Sequence, residues 1–331
     1  MPGMNVLVTG GAGYIGSVIA ARLLARGHDV TVFDDLSRGH RAAVPTGARL
    51  VIGDVRDEAA VLAALTSCGG DGIVHMAALA EVAESVAKPE LYDDVNAGGT
   101  ASVARAALRA GVRRLVFSST AAVYGEPDEV PIPESASLRP SSPYGQSKLD
   151  GERALAAAAA RSNGRLGVVA LRYFNACGAD GECGEDHDPE SHLVPLALRA
   201  ARAGAELQVF GDDYATADGT CVRDYVHVVD LAAAHVAALE LLPAAAGAYN
   251  LGTGRGDSVL QVLDAARRAS GLPLRWRVGP RRAGDPARLV ASNELAGSQL
   301  GWRPERTLSD AVNDAWAWMC THPTGYAGQT P

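Results

Sequence analysis

Cysteine is scarce and unpatterned in this sequence. Among 331 residues there are five, Cys68, Cys177, Cys183, Cys221 and Cys320. None forms a CxxC pair and the number is odd, which argues against a zinc ribbon and predicts reduced thiols rather than a disulfide framework. Positive charge is also in short supply. Lys and Arg number 30 against 38 Asp and Glu, a net charge of −8. No basic run stands out, so no nucleic-acid partner is expected. Long hydrophobic runs are missing: nothing reaches the roughly 18 residues that a lipid-spanning helix needs. The Ala-rich stretch from Ala154 to Ala160 is shorter than that and flanked by arginines, and it reads as a helix made of the best helix former. At the amino-terminal end no charged segment precedes a long apolar one, so no signal peptide is expected. These absences predict a soluble, cytoplasmic protein without membrane contact.

What is present is an ordinary globular mixture, 47% hydrophobic and 21% charged. The length suits one large α/β unit or two domains. Asn5-Val6-Leu7-Val8-Thr9 reads as a buried parallel strand. Gly10-Gly11-Ala12-Gly13-Tyr14-Ile15-Gly16 follows, then a helix from Ser17 to Arg26 that Gly27 stops. Val30 to Phe33 is a second strand ending at Asp34-Asp35. Strand, glycine turn, helix, strand and acid, in that order, fit a dinucleotide site. The glycines let the backbone approach a pyrophosphate seated on the helix N-terminus. Asp34, 18 residues after Gly16, is placed to accept from a ribose hydroxyl, and an acid there disfavours a 2′-phosphate, so NAD is expected over NADP.

Further strands are expected at Arg49–Val55, Gly72–Ala78 and Arg114–Thr120, with one long helix from Pro89 to Ala110. Strands alternating with helices predict an α/β fold of the Rossmann type, a doubly wound parallel sheet with ligands at the carboxyl ends of the strands. Asp54 at a strand end could face an adenine amino group or cap the next helix. His75 reads as a structural strand-end residue, and Asn96 as polar support inside a mostly apolar face.

Ser142-Pro143-Tyr144-Gly145-Gln146-Ser147-Lys148 reads as a helix start, with Ser142 as N-cap and Pro143 in the first turn. Tyr144 and Lys148 then share one helix face. A lysine ammonium beside the phenol is expected to lower its pKa and make Tyr144 an acid/base for an alcohol. Thr120 supplies a hydroxyl nearby.

These residues resemble the extended short-chain dehydrogenase/reductases. The second half narrows the resemblance: Leu171-Arg172-Tyr173-Phe174-Asn175, the run from Asp218 to Val228, Tyr249-Asn250-Leu251-Gly252, and Arg281-Arg282-Ala283-Gly284-Asp285 are similar to the UDP-glucose 4-epimerase family. Trp316-x-Trp318 and His322-Pro323-x-Gly325-Tyr326 look like the same family. The resemblance runs through essentially the whole chain. It implies NAD-dependent inversion at C4 of a UDP-hexose through a transient 4-keto sugar, with Thr120, Tyr144 and Lys148 as catalytic hydroxyl, base and lysine. The implied cofactor surface is Gly10, Gly13, Tyr14, Ile15, Gly16, Asp34, Asp35, Asp54, Val55, Met76, Ala77, Ala78, Asn96, Ser118, Tyr144, Lys148 and Tyr173. The implied UDP-sugar surface is Thr120, Tyr144, Phe174, Asn175, His192, Leu193, Gln208, Val209, Phe210, Arg223, Arg282 and Asp285. Leu289 falls where the family gates sugar size, and its intermediate bulk leaves N-acetylated sugars open; a 4-epimerase of another UDP-sugar, an N-acetylhexosamine or a pentose, is the alternative.

The implied division is a nucleotide-binding unit over 1–174, to which 221–252 return, and a mainly UDP-sugar-binding unit over 175–331. A homodimer through the Pro89–Ala110 helix and the helix after Ser147 is also implied. Three departures stand out. Ala78-Leu79-Ala80-Glu81 lacks a lysine that some members carry near the pyrophosphate. Ser191-His192-Leu193 replaces the Asn-Asn-Leu of many members, so His192 either substitutes for an amide donor or packs. Glu185-Asp186-His187-Asp188 resembles a metal cluster on paper but reads as a solvated loop, so no metal is expected. Ala121-Ala122 follow Thr120 where nucleotide-sugar dehydratases place an Asp-Glu pair, which argues against dehydration. A non-catalytic cofactor-binding protein on the same fold is the alternative of a different class.

Overall fold

The apolar run Asn5–Thr9 forms strand β1, whose side chains are almost wholly buried, and it lies inside a seven-stranded sheet. The computed structural model describes residues 3–282 and 284–327. In chain order there follow α1 (Tyr14–Ala25), β2 (Asp29–Asp34), β3 (Arg49–Ile52), α2 (Glu58–Cys68) and β4 (Gly72–His75). Then come α3 (Val82–Ala87), α4 (Pro89–Tyr92), α5 (Gly99–Ala110), β5 (Arg114–Thr120), α6 (Pro143–Arg161) and β6 (Gly167–Tyr173). The rest comprises β7 (Asn175–Cys177), α7 (Leu193–Ala203), β8 (Glu206–Phe210), β9 (Val222–Arg223), β10 (Tyr225–His227), α8 (Val228–Leu241) and β11 (Gly247–Leu251). It ends with β12 (Asp257–Ser258), α9 (Val259–Ser270), β13 (Arg275–Gly279), β14 (Arg288–Leu289) and α10 (Leu308–Thr321).

The large sheet has the order β11-β6-β5-β4-β1-β2-β3, and every pair in it is parallel. The order turns back on itself at β1, whose neighbours are β2 and β4, and a crevice at such a point, beyond the strand carboxyl ends, is where open α/β sheets bind ligands. Two apolar layers cover the sheet. One gathers α1 and α8 with Val6, Val8, Val18, Ile19, Leu23, Val32, Leu231 and Leu239. The other gathers α2, α5 and α6 with Leu7, Ile73, Leu115, Phe117, Val103 and Leu155. Strands covered on both faces need continuous apolar runs, which is what β1, β4 and β5 show. A third core holds α7, α9 and α10 together with β8 through Leu198, Val209, Val262, Leu263 and Val312.

The expected Pro89–Ala110 helix is divided. Residues Asp93–Gly98 make a wider π-type turn between α4 and α5. That turn brings Asn96 into the interior, where its side chain accepts from Leu79 N at 2.8 Å and donates to Leu79 O and Ser147 Oγ, both at 3.0 Å. Periodic sequence reading sees an unbroken helical pattern here, because a single wide turn shifts the register by only one residue.

Candidate active site

Helix α1 begins at Gly13, which offers no capping side chain, and its first turn contains no acid. The orphan N–H groups of that turn therefore face outward with partial positive charge. A β-carbon at Gly10 would meet Ala77 N at 2.5 Å, so only glycine lets the turn lie against the end of β4. At Gly13 the same atom would meet only Gly10 O, at 3.4 Å. The open side of Gly13 is thus available to a ligand, while Gly10 is closed against backbone. This arrangement suits the pyrophosphate of a dinucleotide. Asp34 ends β2 with Oδ2 accepting from Ala12 N at 3.0 Å and Oδ1 from Leu36 N at 2.9 Å. Burial raises its pKa, with the two backbone N–H groups working against the rise. Asp35 turns away and caps Ser37 N at 2.9 Å.

Other residues of the expected cofactor surface divide into side chains and backbone. Val55 is core, closed against Gly99, and only its main chain remains for a ligand. Asp54 is held by Arg56, with Nη2 2.5 Å from Oδ2. The alternative that it caps the following helix is incorrect: Asp57 caps α2, accepting from Ala59 N and Ala60 N. Met76 and Ala77 pack on the two apolar layers beside the end of β4. His75 is structural, bridging Thr9 Oγ1 at 2.7 Å and Thr100 Oγ1 at 3.0 Å.

Helix α6 starts as the sequence indicates. Ser142 Oγ accepts from Gly145 N at 3.1 Å and Pro143 occupies the first turn. Tyr144 and Lys148 thereby project toward the end of β5, where Thr120 lies. The expected tuning of Tyr144 is different in the structure. Its pKa is raised, chiefly by burial; the Thr120 hydroxyl pulls it down and Glu81 pushes it up. Lys148 instead donates to Ser118 O at 2.8 Å and sits 5.0 Å above the Phe117 ring. Burial lowers the Lys148 pKa to about 7, and Glu152 opposes that fall. Desolvation therefore sets the direction at Tyr144 in the protein alone. Tyr173 closes the same corner, its hydroxyl bonded to Ser118 Oγ and its ring edge-on to His235.

Sequence reasoning missed the network beneath this corner. Glu152 lies one turn beyond Lys148 on α6, a spacing that could have signalled it. Its carboxylate takes Arg172 Nε at 2.9 Å and Nη2 at 2.6 Å, and Ser119 Oγ at 2.5 Å. Arg172 Nη1 reaches Tyr124 Oη at 3.0 Å, and that hydroxyl donates to Asn250 Oδ1 at 2.7 Å. A buried, fully bonded pair of this kind fixes β5, β6 and α6 relative to one another.

The expected sugar-nucleotide residues come from the other half of the chain. Phe174, Ala121 and Leu289 share one small apolar cluster beside Thr120. Asn175 N donates to Asp224 O at 2.9 Å. The fully buried Asp224 carboxylate in turn accepts from Thr253 N, Thr253 Oγ1, Gly254 N and Ala291 N at 2.6–3.1 Å. Next to it, Arg223 pairs with Asp285 and also donates to Val222 O at 2.8 Å and Pro286 O at 2.9 Å. The two residues expected to reach phosphate and ribose separately thus hold each other. Arg282 lies 4.0 Å over the Phe210 ring, which is half-buried rather than core. Gln208 accepts from Arg277 at 3.1 Å, and the Val209 side chain is buried in the third core, leaving only its backbone.

His192 occupies the position before α7 without a side-chain capping bond, and its Nδ1 turns to Glu185 Oε1 at 2.7 Å. The loop expected to be solvated is so only in part: Asp188 is exposed and Asp186 and His187 are half-buried, but the side chains of Glu185 and the neighbouring Glu190 are 6% and 2% exposed. Tyr14, His40 and Tyr326 cover it, through contacts distant in sequence. Glu81, where a lysine was missed, accepts from Ser191 Oγ at 2.5 Å.

Comparison with known proteins agrees over nearly the full length. The family described as NAD dependent epimerase/dehydratase matches residues 6–252. The chain is 50% identical over 323 residues to UDP-glucose 4-epimerase of Streptomyces lividans, covering 97% of each chain. It is 48% identical over 329 residues to that of Lacticaseibacillus casei, covering 98% of this chain and 99% of the other. Among solved structures, UDP-glucose 4-epimerase from Brucella ovis in complex with NAD has a TM-score of 0.91 at 44% identity, covering 95% and 98%. That from Bifidobacterium longum in complex with NAD+ and UDP has a TM-score of 0.91 at 39% identity, covering 97% and 99%.

Proposed function

Because the chain belongs to the NAD dependent epimerase/dehydratase family, we propose that it inverts C4 of a UDP-hexose, interconverting UDP-galactose and UDP-glucose. The observation that carries this reading is the corner at the end of β5. Tyr144, Lys148 and Thr120 meet there, and the residues after Thr120 are Ala121 and Ala122, which offer no acid or base for eliminating water.

NAD, when bound, would supply a reversible hydride acceptor for C4 and a positive charge that would favour the Tyr144 phenolate. Gly13 and the first turn of α1 would hold its pyrophosphate, and Asp34 would accept from a ribose hydroxyl. Tyr144 removes the proton of the sugar 4-hydroxyl and later gives it back. Thr120 orients that oxygen. Lys148 spends one of its three donors on Ser118 O and has two left for a bound molecule. Arg223, Arg282, Asp285, Phe210, Asn175 and Leu193 grip the UDP remote from C4. The keto sugar can then turn about its link to UDP without leaving, a use of binding energy far from the reacting atom.

The same reading divides the chain into a nucleotide-binding unit over 1–174 with 221–252, and a mainly UDP-sugar-binding unit over 175–331. In support, β11 pairs with β6 in the large sheet and α8 packs on α1. A homodimer through α5 and α6 completes the proposal; the exposed face of α6 carries the small residues Ala156, Ala157 and Ala160. Sedimentation at micromolar concentration tests it, and a purely monomeric boundary would remove it. No described helix is long and apolar enough to cross a membrane.

The activity is tested by an NMR time course on UDP-galactose, first without and then with added NAD. Growth of UDP-glucose signals to a constant ratio is expected, and parallel runs with UDP-N-acetylgalactosamine and UDP-xylose rank the sugars. No conversion of any of them under either condition would overturn the proposal.

A further inference from the structure

Between β7 and α7, four side chains in the spacing Glu-x-His-x-x-Glu-x-His turn toward one point. They are Glu185, His187, Glu190 and His192, and one donor atom from each lies within 4.8 Å of all the others. Glu185 Oε1 is 2.7 Å from His192 Nδ1 and 3.3 Å from His187 Nδ1. Glu190 Oε1 is 3.4 Å from His192 Nδ1 and 4.0 Å from His187 Nδ1. A tetrahedral ion with bonds of ~2.1 Å separates its ligand atoms by about 3.4 Å, the middle of this range.

The second observation is what these atoms fail to do. Glu190 Oε2 is buried without a hydrogen-bond partner, and the buried His187 Nδ1 and His192 Nδ1 lie against carboxylate oxygens without the geometry of a hydrogen bond. The Glu190 side chain is 2% exposed, and the nearest cation to its Oε2 is Arg199 Nη2 at 3.5 Å. Glu190 Oε1 is fixed by Ser191 N at 2.9 Å and His192 N at 3.0 Å, so the loop backbone aims the carboxylate. Buried polar atoms are ordinarily satisfied, and several left open around one centre call for an explanation. The two imidazole rings are tilted at 52° with centroids 5.3 Å apart, so they converge rather than stack.

We propose that Glu185, His187, Glu190 and His192 bind one divalent transition-metal ion of the zinc class, which locks the β7–α7 loop against the nucleotide-binding half. Two carboxylates and two neutral imidazoles around a divalent ion leave no net charge, which removes the cost of burying the acids alone. Imidazole donors select zinc-like ions over magnesium or calcium. Four protein ligands make a closed, structural site with no open position for chemistry. The ring of Tyr14 meets His187 edge-on at 6.3 Å, and His192 immediately precedes α7. The ion therefore sits where the loop, the first turn of α1 and the start of α7 come together.

The test uses the full chain, tag-free and stripped with a chelator. Metal analysis after addition of Zn2+ and removal of excess is expected to give one ion per chain. Titration with Co2+ is expected to produce the intense visible absorption of a tetrahedral site, abolished by Zn2+. H187Q and E185Q are expected to weaken Co2+ binding by at least about 100-fold, while H322Q, outside the cluster, leaves it unchanged. Wild-type protein that shows neither stoichiometric metal nor the Co2+ spectrum overturns the proposal, as does H187Q binding with wild-type affinity. Should both cluster variants fail to fold by circular dichroism, the wild-type stoichiometry and spectrum decide alone. None of these readouts depends on activity, so they fail or succeed separately from the epimerase reading.

Discussion

In the first 174 residues, the candidate site residues mostly sit at or just beyond the carboxyl end of a parallel strand, or on the first turns of a helix. Gly10 and Gly13 follow β1, Asp34 ends β2, Thr120 ends β5, and Tyr144 and Lys148 open α6. Beyond Phe174 the candidates come from short strands, caps and loops: His192 before α7, Arg223 in a two-residue strand, Arg282 and Asp285 between strands. A continuous sheet is rigid and repeats the same exit from every strand. Loops are placed by particular contacts, such as the buried Asp224 that collects four donors. On the proposed division, the first half holds a constant cofactor and does constant chemistry, and the second grips a substrate that must turn within the site.

That division separates effects on turnover from effects on affinity. The largest expected effect is from Tyr144→Phe, which should lower kcat by about 10²–10⁴-fold, with NAD affinity and melting temperature kept. Turnover near wild type would remove Tyr144 as the acid/base. Acidification should next strain the sheet half. Burial holds His75 at a pKa of about 3 and His235 at about 4, both below the ordinary 6.5. Both stay neutral in the fold while the unfolded chain takes up protons below 6.5. Their stabilising contribution is full above that value and falls as pH drops toward the folded values. Urea unfolding at pH 5 should show a loss on the order of 2 kcal/mol for each relative to pH 7. Equal stability at the two pH values would mean that these rings are not sealed from solvent.

For the second half, Arg223→Ala should raise KM for UDP-galactose roughly 10–100-fold, the range of a lost charge-assisted contact, with a much smaller change in kcat. A fall in kcat with KM unchanged would break the assignment of this half to binding. The smallest effect is expected from Asp34→Ala, which should narrow the preference for NAD over NADP by about 10-fold, since it removes the carboxylate that repels a 2′-phosphate. An unchanged ratio of the two dissociation constants would count against its ribose role.

The sheet half was also the more legible in the sequence. Glycines at a turn, an acid at a strand end and an i,i+4 pair are local signals, and the structure puts Gly10, Asp34, Tyr144 and Lys148 where those signals point. The π-type turn at Asp93–Gly98 escaped because one extra residue hardly disturbs helical periodicity. The rise in the Tyr144 pKa escaped because burial, unlike spacing, is set by distant residues. The same holds for the second half. That Arg223 would pair with Asp285, or that Asp186 and His187 would be contacted by His40, Tyr326 and Tyr14, depends on contacts more than 60 residues apart.

The most direct test of the central claim is to follow UDP-galactose carrying deuterium at C4. Oxidation and return on one enzyme-held cofactor should leave the label at C4 of the UDP-glucose formed, with none in solvent and none in free NADH. Label washed into solvent, or product formed only as reduced cofactor accumulates, would contradict a transient 4-keto sugar that is oxidised and reduced within the same site.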